Sequence, residues 1–438
     1  MDTNEQNRQE KRELRRKRRQ RNQIISYTAV GILILVLAAG IAFAVSKITG
    51  MSRSQEEQQN KVDEILSDEE TIQAPTETPE TVEELTAEQK LDTIINEAII
   101  QNMPLEDKVA GLFITTPESI TGVSAAVQAG DGTKDALSKY PVGGIVYASR
   151  NIKSADQLKQ MIDNTKLYTS YPLFIAIEGE GGGTDAVAAA GLGTKADTPQ
   201  NIGASGDTNN AYIAGTTVGT YLAELGFNLD FAPSADLGIV DGNAAGSSSY
   251  GAEADTVASF AAYMQAGLQE QKVTACIGQF PGIGSSTQST KDGMASTDRS
   301  AEDFRANEFV AFQNCIDNGM TKMIRVSDMS APSLTGDNTP CTLSSAVVTD
   351  ILRNELNFRG VIVSGAMDQA AITNYYGADE AAVMALRAGC DMIYSPENFE
   401  TAYNGVLEAV RNGTISEERI NDSLRRIYRI KYADKLEQ

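Results

Sequence analysis

From about Leu91 to the end of the chain, short apolar runs alternate with longer amphipathic ones, and this rhythm constrains the fold more than any other feature. Eight of the runs read as buried strands: Ala110 to Thr115, Val142 to Ala148, Leu173 to Glu178, Asn228 to Ala232, Val273 to Gln279, Met320 to Ser327, Val361 to Gly365 and Asp391 to Tyr394. They are short and mostly apolar, as expected of parallel strands covered on both sides. Helical periodicity lies over Ala155 to Tyr168, Ala211 to Leu225, Asp255 to Gln271, Ala301 to Asn318, Ser344 to Leu356, Ala378 to Ala388 and Phe399 to Asn412. Parallel neighbours need long crossovers of one hand, so eight such repeats in succession predict a (β/α)₈ barrel of the TIM type, α/β in class. An open doubly wound sheet is the competing architecture, but no G-x-G-x-x-G follows a strand.

The first 90 residues lack this rhythm and divide into three segments. Residues 1–23 are polar and basic, with nine Lys and Arg against four acids. Residues 24–45 carry no charge and are long enough, at ~1.5 Å per residue, to cross the ~30 Å hydrocarbon layer as a transmembrane helix. A cleaved secretory signal also begins with a basic flank. Its apolar region is shorter, about 7–15 residues, and Ser46 to Gly50 offers no good small-x-small cleavage site. The basic flank then places the N-terminus in the cytoplasm and the rest of a single-pass cell-membrane protein outside. Residues 46–90 form an acidic Pro/Thr/Glu-rich stalk with too little apolar surface to order itself. The barrel is expected over 91–438.

Absences exclude whole classes of chemistry. Among 438 residues there is no histidine, so an imidazole base, a histidine metal ligand and a near-neutral histidine switch are ruled out. The four cysteines form no C-x-x-C pair, and no zinc site or other cofactor is expected. Cys276 and Cys390 lie in or beside strands and read as small buried apolar residues, although a disulfide in an extracellular domain remains open. The formal net charge is −22 even with the basic leader, which argues against nucleic acid or anionic lipid as a partner of the exterior domain. A neutral sugar or a basic protein is compatible with it.

Val273 to Gly284, V-T-A-C-I-G-Q-F-P-G-I-G, is a β-branched run ending in glycines and a proline, which suits a strand stopping at a sharp turn. It resembles the Lys-His-Phe-Pro-Gly-His-Gly segment of glycoside hydrolase family 3, in its β-N-acetylhexosaminidase branch, with Gly278, Gln279 and Ile283 in place of the lysine and the two histidines. The resemblance runs from Met103-Pro104-Leu105 to Ile415-Ser416-Glu417 and the closing Arg425-Arg426-Ile427. Gly143 to Tyr147 with Ser149-Arg150-Asn151 matches the family after the second strand, and Asn228 to Asp236 keeps the landmark after the fourth. Glu178-Gly179-Glu180-Gly181-Gly182-Gly183 resembles the family's Asp-Gln-Glu-Gly-Gly-Arg, with its arginine replaced by Gly183. Ser248-Ser249-Tyr250-Gly251 is similar to Arg-Ser-Phe-Gly with its arginine lost at Ser248.

The losses fall where the resemblance implies chemistry. A retaining glycosidase needs a carboxylate nucleophile and a proton donor. The family's nucleophile follows a Val-x-Ser strand ending, and here Val361-Ile362-Val363-Ser364 leads to Gly365. The family's Asp-x-His pair on the loop after the fifth strand corresponds to Ser289 and Lys291. Asp328 stands near a position where the family commonly carries histidine. Neither glycine nor serine can replace a carboxylate in displacement at carbon.

Arg150, Glu178, Glu180, Asp236 and Asp328 are therefore the ligand-binding candidates at the barrel mouth, with no catalytic residue assigned. Arg150 either holds a sugar hydroxyl or carboxylate through its forked donors or pairs with Glu178 or Glu180. Asp368, three residues past the vacated position, suits the N-terminus of the next helix. The reading is an extracellular, membrane-anchored family 3-like domain without catalysis, binding peptidoglycan or another N-acetylated glycan, or else a surface protein partner. The alternative is an active β-N-acetylhexosaminidase-type glycosidase with relocated carboxylates. A scaffold for wall synthesis or division is a third reading.

Overall fold

The computed structural model describes residues 86–179 and 185–433. The basic segment, the apolar run over 24–45, the stalk up to residue 85 and Glu180 lie outside the described residues. Among the described residues no helix is long and apolar enough to cross a membrane.

Eight parallel strands close into one barrel in sequence order: β1 Phe113–Thr115, β2 Gly144–Val146, β3 Phe174–Ile177, β4 Leu229–Asp230, β5 Thr274–Phe280, β6 Met323–Val326, β7 Val361–Ala366 and β8 Met392–Tyr394. Closure is made by β1 and β8, with Phe113 opposite Ile393 and Ile114 opposite Tyr394. The expected barrel is thus the observed one, and the doubly wound sheet is excluded. Register slips between Ile277 and Phe280 on β5 and between Val363 and Ala366 on β7, both at the carboxyl ends of the strands. Such irregularities re-aim side chains, and here they flank β6 on both sides.

The outer layer contains α1 Ala87–Ala98, α2 Asp131–Lys139, α3 Ala155–Tyr168, α4 Asn209–Leu225, α5 Ala254–Glu270, α6 Glu308–Asp317, α7 Ala346–Glu355, α8 Ala378–Ala388, α9 Phe399–Arg411 and α10 Glu417–Lys431. Thr86 opens α1 with a capping box in which Gln89 returns the hydrogen bond, so ordered structure begins before Leu91. The run expected over Ala301 to Asn318 breaks at Asn307, and α7 is wound as a π-helix.

The amino-terminal end of the barrel is closed by charge. Asp391, just before β8 and 0% exposed, takes hydrogen bonds from Arg353 on α7 (2.7 Å), from Ser423 (2.7 Å) and Arg426 (2.9 Å) on α10, and from the Ile362 amide (3.0 Å). Burial acts to raise its pKa, but Arg353, Arg426 and Arg419 outweigh it and hold the carboxylate below its usual range. Lys108 to Glu417 (2.7 Å) and a charged pair between Arg429 and Asp92 also tie α10 to the start of the domain. All four cysteines are buried and free, Cys276 and Cys390 among them, so they act as apolar filler.

Candidate functional site

The carboxyl ends of the strands hold the charged groups, as this architecture leads one to expect. Glu178 leaves β3 pointing into the mouth, its side chain 53% exposed. Its Oε1 accepts from Arg325 Nη1 at 2.5 Å and from the Tyr394 hydroxyl at 3.3 Å. Arg325 projects inward from β6, only 10% exposed, with its guanidinium 5.2 Å from the ring centre of Phe231 and 5.9 Å from that of Tyr394. Desolvation favours neutral Glu178, but the charge and hydrogen bond of Arg325 prevail and keep it ionised, its pKa lowered. Arg325 was not among the sequence candidates. A charged residue amid the apolar run Met323-Ile324-Arg325-Val326 was the signal, since a buried parallel strand rarely carries one.

Arg325 also bears on the first lost residue. A side chain begun at Gly278 on β5 would place its Cβ 3.6 Å from Arg325 Nε, in ordinary contact. Arg325, from the neighbouring strand, thus lies beside the position where the resemblance implies a lysine. Asp328 answers the other loss. A Cβ at Gly365 would overlap the Asp328 carboxyl group, so an acid from the end of β6 fills the space vacated on β7. Asp328 is 3% exposed and its Oδ1 has no hydrogen-bond partner among the described residues. Burial pushes its pKa well above the usual range, Arg325 offsetting only part of this. It is packed into the barrel wall, and the ligand contact expected of it at the mouth is corrected by this burial.

Asp236 is corrected as well. It is 2% exposed, and its oxygens accept from the amides of Ile283 (2.9 Å) and Gln279 (3.1 Å) and from Ser234 Oγ (2.8 Å). The side chain, whose pKa burial raises, fastens the turn after β5. The same turn requires Gly284, where any Cβ would overlap the Leu237 carbonyl.

Asp368 does not open the next helix, which runs from Ala370 to Thr373 and has Gln369 at its N-cap. Its Oδ2 accepts from Ser395 Oγ at 2.9 Å, and burial raises its pKa. Among the described residues Arg150 does not pair with Glu178, and Glu180, its other expected partner, lies outside them. The arginine's Nε lies 3.4 Å from Glu118, whose Oε1 also takes the Ala126 amide (2.8 Å) and Asn151 (2.6 Å).

Among the described residues three adjoining hollows lie at the mouth. One of about 250 Å³ is lined by Arg150, Glu178, Asp368, Tyr394 and Ser395. The next, about 160 Å³, lies between Glu178, Phe231, Asp236, Gln279 and Arg325. The third, about 190 Å³, contains Gln279, Ser289, Lys291 and Gln369. Ser289 and Lys291, at the positions of the family's acid/base pair, line that third hollow, and Ser289 Oγ accepts the Lys291 amide at 3.2 Å. Thr290 is hydrogen-bonded to Gln369, tying the β5 loop to the segment after β7. The first hollow holds two carboxyl groups whose surroundings move them apart, Glu178 toward the anion and Asp368 toward the acid.

Comparison with known proteins agrees with this geometry. The family model for the glycosyl hydrolase family 3 N terminal domain matches residues 105–430. A beta-hexosaminidase of Nitrosomonas eutropha is 30% identical over 263 residues, covering 59% of this chain and 74% of that protein. Beta-hexosaminidase A of Pseudoalteromonas piscicida is 24% identical over 324 residues, 67% of this chain, which spans only 54% of that protein. Among solved structures, a family 3 beta-N-acetylglucosaminidase from a Paenibacillus species superposes with a TM-score of 0.69 at 29% identity, over 77% of this chain and 64% of that one. A beta-N-acetylhexosaminidase from Beutenbergia cavernae gives 0.67 at 25% identity, over 75% and 98%.

Proposed function

The chain belongs to glycosyl hydrolase family 3, in the company of beta-hexosaminidases, and we propose that it binds an N-acetylated hexose glycan at the barrel mouth without cleaving it. One observation carries this reading: Gly365 supplies no nucleophile, and the acid that fills its place, Asp328, is buried in the barrel wall, where desolvation raises its pKa. A carboxyl enclosed in the wall is not placed to attack an anomeric carbon. Glu178, Arg325 and the Tyr394 hydroxyl remain as an acceptor, a forked donor and a ring edge beside hexose-sized space. These are the groups that orient sugar hydroxyls. With the apolar run at 24–45 as a membrane anchor, the mouth would meet cell-wall glycan or a surface protein outside the cell.

The full chain is expected to release no chromophore from an aryl N-acetyl-β-glucosaminide and to bind N-acetylglucosamine or a muropeptide, with binding lost in Glu178→Gln. The pairing of Glu178 with Asp368 around the 250 Å³ hollow favours a second reading, a glycosidase with relocated carboxylates. Turnover that disappears in both Glu178→Gln and Asp368→Asn would establish it and end the first.

A further inference from the structure

A helix on the outside of a barrel in water usually carries charge on the face turned away from the sheet. α3 does so, with Asp156, Lys159, Asp163 and Lys166 spaced along it. Its neighbour α4 and the next helix, α5, do not. No charged residue occurs between Asp207 and Glu224, or between Asp255 and Glu270, on a chain whose formal net charge is −22. The positions that reach solvent are held by Ile213, Thr217 and Thr220 on α4 and by Ser259, Tyr263 and Ala266 on α5. Ile213 is 50% exposed and Tyr263 48%, two of the five large apolar side chains left open among the described residues. Glycines join the two helices into one face. A Cβ at Gly215 would overlap the Met264 carbonyl oxygen, and one at Gly267 would overlap that of Tyr212, so the backbones touch with no side chain between them. Gly219 lies in the same way against Leu268 and Gln271. These contacts advance in step along both helices, which sets Ile213 and Tyr263 at nearly the same level.

On a polyanion, an uncharged face with open apolar groups is where a body of the same charge meets the least repulsion. A basic protein would be drawn to the acidic surface instead, so the charge pattern selects a second acidic molecule as the occupant. We propose that the α4–α5 face is a self-association surface, on which a second copy of this chain sits across a two-fold axis with Ile213 and Tyr263 of both copies at the centre of the contact. The tyrosine rings supply apolar area with a polar edge, and Thr217, Thr220 and Ser259 form the polar rim. The face is separate from sugar recognition, since none of these residues borders the three hollows of the mouth.

The test is sedimentation velocity of the full chain in a non-ionic, density-matched detergent, over a range of protein concentration at low and high salt. A monomer–dimer equilibrium is expected that tightens as salt rises, because screening weakens the repulsion between two acidic bodies while the uncharged face has no ion pair to lose. Ile213→Glu and Tyr263→Glu should each weaken it at least about tenfold, with circular dichroism unchanged. A second measurement is independent of those variants. All four native cysteines are buried, so a surface thiol in Ile213→Cys or Tyr263→Cys should close an intermolecular disulfide on mild oxidation, whereas one in Tyr375→Cys, an exposed position after β7, should not. A monomer at every concentration, a dimer that both glutamate variants leave intact, or equal cross-linking through Tyr375→Cys overturns the proposal. So does a monomeric chain whose glycan binding is lost in Tyr263→Glu, since the face would then belong to sugar.

Discussion

Asp391 and Asp328 are the same side chain, buried at opposite ends of one barrel and treated in opposite ways. At the base, guanidinium groups from α7 and α10 converge on Asp391 and keep it charged. At the mouth, Asp328 has one cation nearby, Arg325, already committed to Glu178, and an oxygen without a partner. The base is a satisfied ionic lock that fixes how the last helix meets the sheet. At the mouth the exchanged positions Gly278 and Gly365 lie against Arg325 and Asp328, and no comparable group of cations holds the buried acid among the described residues.

The strongest way to break this contrast is Asp391→Ala, which strands three partly buried arginines and should cost about 3–5 kcal/mol in urea unfolding. A loss below about 1 kcal/mol would mean the lock is not one. Gly365→Ala should cost about 1–3 kcal/mol through overlap with Asp328, and most of this should vanish in the double variant with Asp328→Ser. Additive losses would show that the two positions do not compete for space.

Acid and base titration sharpens the comparison. Asp328 has a folded-state pKa raised above its unfolded value, so its contribution is fully present below about 4 and is lost as pH rises toward the folded value. Asp328→Asn should remove this decline, at most about 1.4 kcal/mol per pH unit, in stability curves taken from pH 4 upward. Asp391, with its pKa lowered, contributes stability above about 4 that is lost on acidification, so Asp391→Ala should flatten the acid limb instead. The smallest effect belongs to Arg150→Ala. Its exposed pairing with Glu118 is worth about 0–1 kcal/mol, so stability should barely move while sugar affinity, read by calorimetry, falls.

The sequence displayed the architecture well because the architecture rests on local periodicity. All eight strands overlap their expected runs, and Ala155–Tyr168 and Ala378–Ala388 match to the residue. The fourth strand shrank to Leu229–Asp230, and the buried segment after it bridges to β5 at Ser234 and Gly278 and fastens the β5 loop through Asp236. The break at Asn307 was hidden because apolar spacing continues through it. The site was legible only as a set of vacancies at Gly278 and Gly365. What fills them comes from β6, and contacts between adjacent strands of a closed barrel leave no trace in linear spacing. Arg325 could have been singled out as a charge inside a buried strand. Asp328 could not have been told apart from a solvent-facing acid, because its burial depends on Gly365 lacking a side chain.

The described chain enters and leaves the barrel close together: Arg429 of the last helix pairs with Asp92 of the first, and Ala433 borders a hollow on the underside with Phe174 and Thr274, where β3 and β5 begin. A handle attached beyond residue 433 would therefore reach the domain from below. Immobilised in this way on a sensor chip or bead, the molecule would present its open bowl to the bulk, and polymers too long to enter a closed pocket could be assayed without the support standing in their path.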